Sequence, residues 1–370
     1  MRLLFISNGH GEDSMAAAII AQLPKGIGAD AYPTIGSGAA FEGICPVVGP
    51  RAHLPSEGWR NTAGSMFRDL RGGVLTTLGP ALRFMRNVRK AYPKIIVVGD
   101  LVGVLLCWQS RTKVAAYIDV FRNGYAHSYS PLERMLIKSA VAQVFCRDED
   151  LARELRADGI DARASGNVMM DTISFGDYDT ASRREHAQAI ALLPGSRATA
   201  AEHFATQIAA LRQLPKEKLP DVFAALASGI DPGDLARAGG LEWSGAGEAA
   251  DRGRLSGGSL TLHLSTGALG NIIEASDVVL SQAGTATWQA MGLGKPVVSF
   301  VMPGDRQKRL RDEALFTGEA RILCPRDPVA VAGELSILLA DPEERARRGR
   351  IGRLRMGPPG AIKSILKEIL

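Results

Sequence analysis

The sequence has only four cysteines, Cys45, Cys107, Cys146 and Cys324, spread far apart with no CxxC pair among them. That spacing suggests neither a disulfide framework nor a zinc site, and it fits a reducing compartment. No stretch approaches the roughly 20 apolar residues of a membrane-spanning helix. The start, MRLLFISNGHGED, has one basic residue and a short apolar run broken by polar residues and Gly, which is too little for a secretory signal. The expectation is a cytoplasmic chain that does not cross a membrane. Aromatic residues are sparse at 6%. The triplet Asp148-Glu149-Asp150, superficially a metal-binding DxD, is not read as one, because it follows the strand-like AQVFC and opens a helix, where acids cap and complement the helix dipole.

What is present points to an α/β protein. A length of 370 residues suits two domains of ordinary size. Glycine, at 41 residues, is abundant, as many tight strand-to-helix turns require. The net charge of +5 is unevenly spread. From Trp59 to Lys94, Arg60, Arg68, Arg71, Arg83, Arg86, Arg89, Lys90 and Lys94 face Asp69 alone. Within this island Leu75, Leu78, Leu82, Met85, Val88 and Tyr92 recur at helical spacing, with Pro80 as an early helix residue and Arg83, Arg86 and Lys90 on another face. Such a helix either packs its apolar stripe and leaves the cations solvated, or docks on an anionic membrane, where each cation adds about 1 kcal/mol.

The segment Asp277 to Val301, DVVLSQAGTATWQAMGLGKPVVSFV, reads as strand, tight loop, helix and strand with almost no spare residue. Gly284 lets the backbone turn and approach a ligand, and Thr285 or Thr287 can cap the helix, whose first amides suit a phosphate. Upstream, Arg2 to Ser7 is a first strand, SNGHGED a loop, and Ser14 to Leu23 a helix; Gly9 and Gly11 give GxG, but Ser14 stands where a dinucleotide fingerprint needs a third glycine. Strands are predicted near Ala29 to Ile35, Ile44 to Val48, Lys94 to Gly99 and Lys113 to Ile118, with a helix over Pro131 to Ala140. Asp100, at the carboxyl end of a central strand, points to the crevice where open α/β sheets bind ligands; it is the first catalytic candidate and, equally, an N-cap. His10 is its rival as a base. Thr172 to Glu185 is polar and aperiodic and reads as a linker. Beyond it Ala189 to Leu193 runs into PGSR, where Gly195 and Ser196 offer donors and Arg197 can grip a diphosphate. Terminal helices follow, the last broken at Gly357 to Gly360, and six arginines from Arg345 to Arg355 make the tail basic.

The ordered strings SNGHGED, VGD, GNVMMD, LPGSR and AGTATWQAMGLGKP resemble those of GT-B glycosyltransferases, most nearly the lipid-A-disaccharide synthase family. Gln289, or Trp288 if the register shifts by one, stands where that family carries an acid for the nucleotide ribose. Val168 replaces a family proline, and Val102 to Val104 hold no second acid after Asp100. The resemblance implies a GT-B fold, two facing Rossmann-like domains with parallel sheets: residues 1–172 for the acceptor, a linker at 173–185, residues 186–342 for the nucleotide-sugar donor, and 343–370 as C-terminal helices, packing back on the first domain. It implies an inverting, metal-independent transfer from a UDP-sugar, a co-substrate rather than a cofactor, to a lipid or lipid-linked acceptor. The protein would sit peripherally at the inner face of the membrane and would not bind nucleic acid. Donor contacts would come from Gly195, Ser196, Arg197, Gly284, Thr285, Thr287, Gln289 and Gln307, and acceptor contacts from Gly9, Gly11, Glu12 and Asp13. A UDP-sugar epimerase of the same fold and a nucleotide-binding protein without turnover are the other readings.

Overall fold

A computed structural model describes residues 1–51, 74–126, 128–196, 199–215, 219–245 and 250–370, with residues 74–78 as helical backbone only. The chain divides into two compact units, residues 1–172 with 304–316 and 357–370, and residues 173–303 with 317–356.

The first unit runs β1 (Arg2–Ser7), α1 (His10–Ala21), β2 (Gly28–Pro33), α2 (Val74–Ala91), β3 (Lys94–Gly99), α3 (Leu101–Gln109), β4 (Val114–Asp119), α4 (Pro131–Ala140), β5 (Val141–Cys146), α5 (Glu149–Ala157), β6 (Ala162–Ala164) and α6 (Val168–Asp171). Its six strands form one parallel sheet in the order β2-β1-β3-β4-β5-β6. Leu3 to Ile6 and Ile95 to Val98 are buried throughout, as expected of central strands covered on both faces.

Several local expectations are corrected. α1 begins at His10 rather than Ser14, because Gly9, at φ 143°, turns the chain straight into the helix and Glu12 and Asp13 complement its first turn. The predicted strand Ile44 to Val48 is reduced to a single bridge from Val47 to Ala31, since Pro46 lacks the amide that a ladder needs. Pro80 lies inside α2 rather than in its first turn. Asp148 is the N-cap of α5, accepting from the Leu151 amide at 2.9 Å, so the DED triplet does open a helix.

The second unit runs β7 (Ala189–Leu193), α7 (Ala200–Leu211), β8 (Asp221–Leu226), α8 (Pro232–Gly239), β9 (Glu242–Ser244), β10 (Asp251–Gly257), β11 (Leu260–Thr266), α9 (Leu269–Ala275), β12 (Val278–Ser281), α10 (Thr285–Gly292) and β13 (Val297–Phe300). After α11 (Gln307–Thr317), most of which groups with the first unit, come β14 (Arg321–Cys324), α12 (Pro328–Ala340) and α13 (Pro342–Met356). The sheet order is β14-β13-β12-β7-β8-β11-β10-β9, parallel except for β10 and β9, which extend it as an antiparallel edge.

The chain ends in α14 (Ala361–Ile369), which belongs with the first unit, whereas α13 stays with the second. The predicted break at Gly357 to Gly360 separates these two helices. Asp171, the last residue of the GNVMMD string, accepts from the amides of Gly360 and Ile362 and so caps α14. The tail arginines are not merely solvated: Arg345 reaches the carbonyls of Leu338 and Leu339, and Arg347 and Arg348 pair with Glu344.

Candidate functional site

Each sheet has one place where consecutive connections leave in opposite directions. In the first unit β1 leads through α1 to β2 on one side, and β3 leads through α3 to β4 on the other. The crevice between the carboxyl ends of β1 and β3 is therefore where an open α/β sheet accommodates a ligand. In the second unit the same divergence falls between β7 and β12. The candidate base, acceptor and donor residues lie around these two points, apart from Arg197 and Gln307, while Arg83, Arg86 and Lys90 are on α2.

At the first point Asp100 follows β3 and is the N-cap of α3, Oδ1 accepting from the Val102 amide at 2.9 Å. The Asn8 amide, at the end of β1, donates to both carboxylate oxygens at 3.2 and 3.1 Å. Thr34 in turn donates to Asn8 Oδ1 at 2.7 Å, tying in the end of β2. Asp100 is thus both a cap and a residue of the crevice. Asn8 and Thr34 were missed from sequence, although a polar residue directly after a buried strand is the signal that could have found them.

Glu12 folds back over Gly9, the N-cap of α1, and across Gly99 at the end of β3. A Cβ at Gly9 would lie 2.7 Å from Glu12 Oε2, and one at Gly99 would lie 2.6 Å from its Cγ. Both glycines also have positive φ, 143° and 126°. Burial raises the Glu12 carboxyl to about 7, with the neighbouring charges of Asp100 and Asp13 adding to the effect. Asp13 is 2% exposed, turned inward onto the Ser7 hydroxyl, and raised by burial to about 6. Gly11 has open space where a Cβ would be, and His10 is an exposed first residue of α1 beside Gly36.

At the second point the PGS loop after β7 lies against the QAG loop after β12: a Cβ on Gly195, at φ 101°, would meet the Gln282 carbonyl at 3.4 Å. Gln282 itself clips the loop to β13 through both the amide and carbonyl of Phe300. Gly284 is the N-cap of α10 and no side chain caps the helix. The expectation that Thr285 or Thr287 would do so is corrected, since Thr287 is buried with its hydroxyl 2.6 Å from both Ser281 Oγ and the Ala283 carbonyl. It braces the loop instead. The Thr287 amide is taken by the Gly284 carbonyl at 3.1 Å, which leaves the amides of Thr285 and Ala286 to a ligand or solvent. Thr285, Ser196 and Gly284 are exposed beside them, while Gln289 is 5% exposed.

Two assignments stand apart. Arg197 lies outside the described residues. Gln307 is an exposed first residue of α11 and groups with the first unit, whereas the other donor candidates are in the second.

No protein-family model matches the chain, and no curated protein matches it in sequence. Solved structures do match it along its whole length. A UDP-N-acetylglucosamine 2-epimerase described as putative, from Listeria monocytogenes, has TM-score 0.61 and 17% identity, covering 100% of this chain and 95% of that one. The UDP-GlcNAc 2-epimerase of Neisseria meningitidis, bound to UDP-GlcNAc, has TM-score 0.58 and 13% identity, covering 100% and 99%. MurG of Acinetobacter baumannii has TM-score 0.56 and 14% identity, covering 99% and 98%.

The fold is GT-B. Identities this low carry the fold and nothing finer. In the second sheet the antiparallel edge lies away from the divergence point, beyond β11.

Proposed function

We propose that the protein is a UDP-sugar-dependent enzyme that transfers a sugar, N-acetylglucosamine-like, to a lipid or lipid-linked acceptor with inversion, as the ordered strings of the lipid-A-disaccharide synthase type imply. The observation that carries the nucleotide part is the uncapped start of α10 beside the PGS loop at a sheet divergence point. Amides and dipole there favour a diphosphate, and Arg197 would add charge-assisted bonds. The leaving charge is then met by the protein, and the reading needs no metal. Gln289 can accept a ribose hydroxyl through its carbonyl.

The lipid part is supported by the surface of the first unit. α3 packs against both α2 and α4. Leu105 and Trp108 on α3 are exposed, as are Leu132 and Met135 on α4, at 77% and 68%. Exposed apolar residues on adjoining helices mark an interaction surface. On α2 Met85 and Val88 are buried while Arg83, Arg86 and Lys90 are exposed, so this basic face and the apolar side chains suit an anionic lipid surface together. Among the described residues no helix is long and apolar enough to cross a membrane.

A UDP-sugar epimerase is the second reading, supported by the UDP-GlcNAc 2-epimerases among the fold neighbours. UDP release that depends on a lipid acceptor, and binding to anionic vesicles that is lost with Arg83, Arg86 and Lys90 all changed to Gln, would support the transferase. Sugar interconversion without an acceptor would replace it with the epimerase.

A further inference from the structure

Resting on the transferase reading, the geometry points to Glu12, rather than Asp100 or His10, as the group that takes the proton from the acceptor hydroxyl, with Asp100 acting on Glu12 through its charge. The sequence marked Glu12 only as an acceptor contact. The structure lays it over Gly9 and Gly99.

The argument starts with space. The Glu12 side chain crosses Gly9, the N-cap of its own helix, and Gly99, the last residue of β3, and a Cβ on either would collide with it. The carboxylate is thereby laid between the two strand ends where the sheet diverges, in the crevice itself. It is half-buried, so it stays in reach of a ligand, and its own backbone amide donates to it.

Asp100 is differently placed. Its oxygens already accept from the Val102 amide and the Asn8 side chain. Those bonds commit it to capping α3 and tying the ends of β1 and β3 together. At Glu12 burial outweighs the bond from its own backbone amide and, with the charges of Asp100 and Asp13 added, brings the carboxyl to about 7, which suits a proton acceptor working near neutral pH. The charged groups acting on Glu12 are Asp100 from the β3 end and Asp13 from α1, and His10 acts on Asp13. α6 also packs against α1, but its Asp171 is engaged by the amides of Gly360 and Ile362.

In the step itself the acceptor O–H bond breaks toward a Glu12 oxygen while the acceptor oxygen bonds to the anomeric carbon. The bond from that carbon to the diphosphate breaks, and its electron pair leaves with UDP. The proton on Glu12 is later lost to solvent.

The test compares UDP release with a lipid acceptor across pH for the parent, Glu12→Gln and Asp100→Asn, with UDP affinity and thermal midpoint measured for each. Glu12→Gln is expected to lose about 10² to 10⁴ in turnover while UDP affinity and midpoint persist. Asp100→Asn is expected to stay more active than Glu12→Gln and to move its acidic limb to lower pH, since a charge that disfavours ionised Glu12 is gone. A Glu12→Gln variant within a few-fold of an active parent overturns the proposal, as does an Asp100→Asn variant that falls as far with no movement of the limb. If Glu12→Gln fails to fold, titration of the carbon-labelled Glu12 carboxyl in the parent and Asp100→Asn decides. An ordinary carboxylate value in the parent, or no fall in Asp100→Asn, overturns it. A parent that binds UDP but transfers to no lipid acceptor sinks the transferase reading and this role together, a signature distinct from an active parent with an active variant.

Discussion

Asn8 bridges to Asp100 across the divergence point of the first sheet, its amide nitrogen 3.2 and 3.1 Å from the two carboxylate oxygens. One side chain therefore fixes the ends of two strands that are 92 residues apart in sequence. Asn8→Ala should loosen the cap on α3, and a double-mutant cycle with Asp100→Ala should give a coupling of about 0.5 to 3 kcal/mol in stability. Strict additivity of the two changes would show that the contact contributes nothing.

The two glycines of the second unit's loops should respond in opposite ways. Gly195 sits at φ 101°, so Gly195→Ala strains the backbone by about 1–2 kcal/mol. Gly284 has negative φ and open space where a Cβ would go. Gly284→Leu is therefore expected to leave the thermal midpoint close to the parent while weakening UDP binding, because its side chain stands before the first amides of α10. Calorimetry that finds UDP affinity unchanged would remove α10 from the nucleotide site.

Gly349 and Gly352 press α13 onto the end of α10, where a Cβ would overlap the carbonyl oxygens of Gly294 and Met291. Gly352→Ala should cost about 1–3 kcal/mol through overpacking, and should also lower UDP affinity by displacing α10. Gly333→Ala on α12, where a Cβ meets open space, is the control and should be neutral or stabilising by up to about 1 kcal/mol. Equal melting of the two variants would mean that the α13 contact yields freely.

Glu12 and Asp13 have carboxyls raised in the folded state to about 7 and about 6, mainly by burial. Unfolded, they would titrate near 4. Across that window the native state holds more protons, so their contribution to stability declines as pH rises from about 4 to about 7. Asp13→Asn keeps an acceptor for Ser7 but removes one titrating group. Denaturant unfolding should show the variant gaining on the parent as pH rises, and a constant difference between them would refute the linkage.

Much of the frame was legible because it depends on local patterning. Buried apolar runs of four to six residues, glycine turns and helix caps mark most strands of both sheets, the break before α14 and the role of Asp148. The failures have local causes that a periodic pattern cannot show. Pro46 silences a ladder, Gly9 starts α1 four residues early, and Thr287 turns inward to Ser281.

The sequence by itself determined that two open α/β units form, and that Asp100 and Gly284 stand directly after strands, since strand ends follow from hydrophobic runs and turn residues. Only the tertiary structure decided which strands lie side by side. That order brings Asn8 to Asp100, lays Glu12 over Gly9 and Gly99, and sets the PGS loop against Gln282. The physical reason is that a carboxyl's basicity and a loop's shape depend on burial and on neighbours far along the chain. Those neighbours are chosen by how the sheets pack, which no local stretch of sequence specifies.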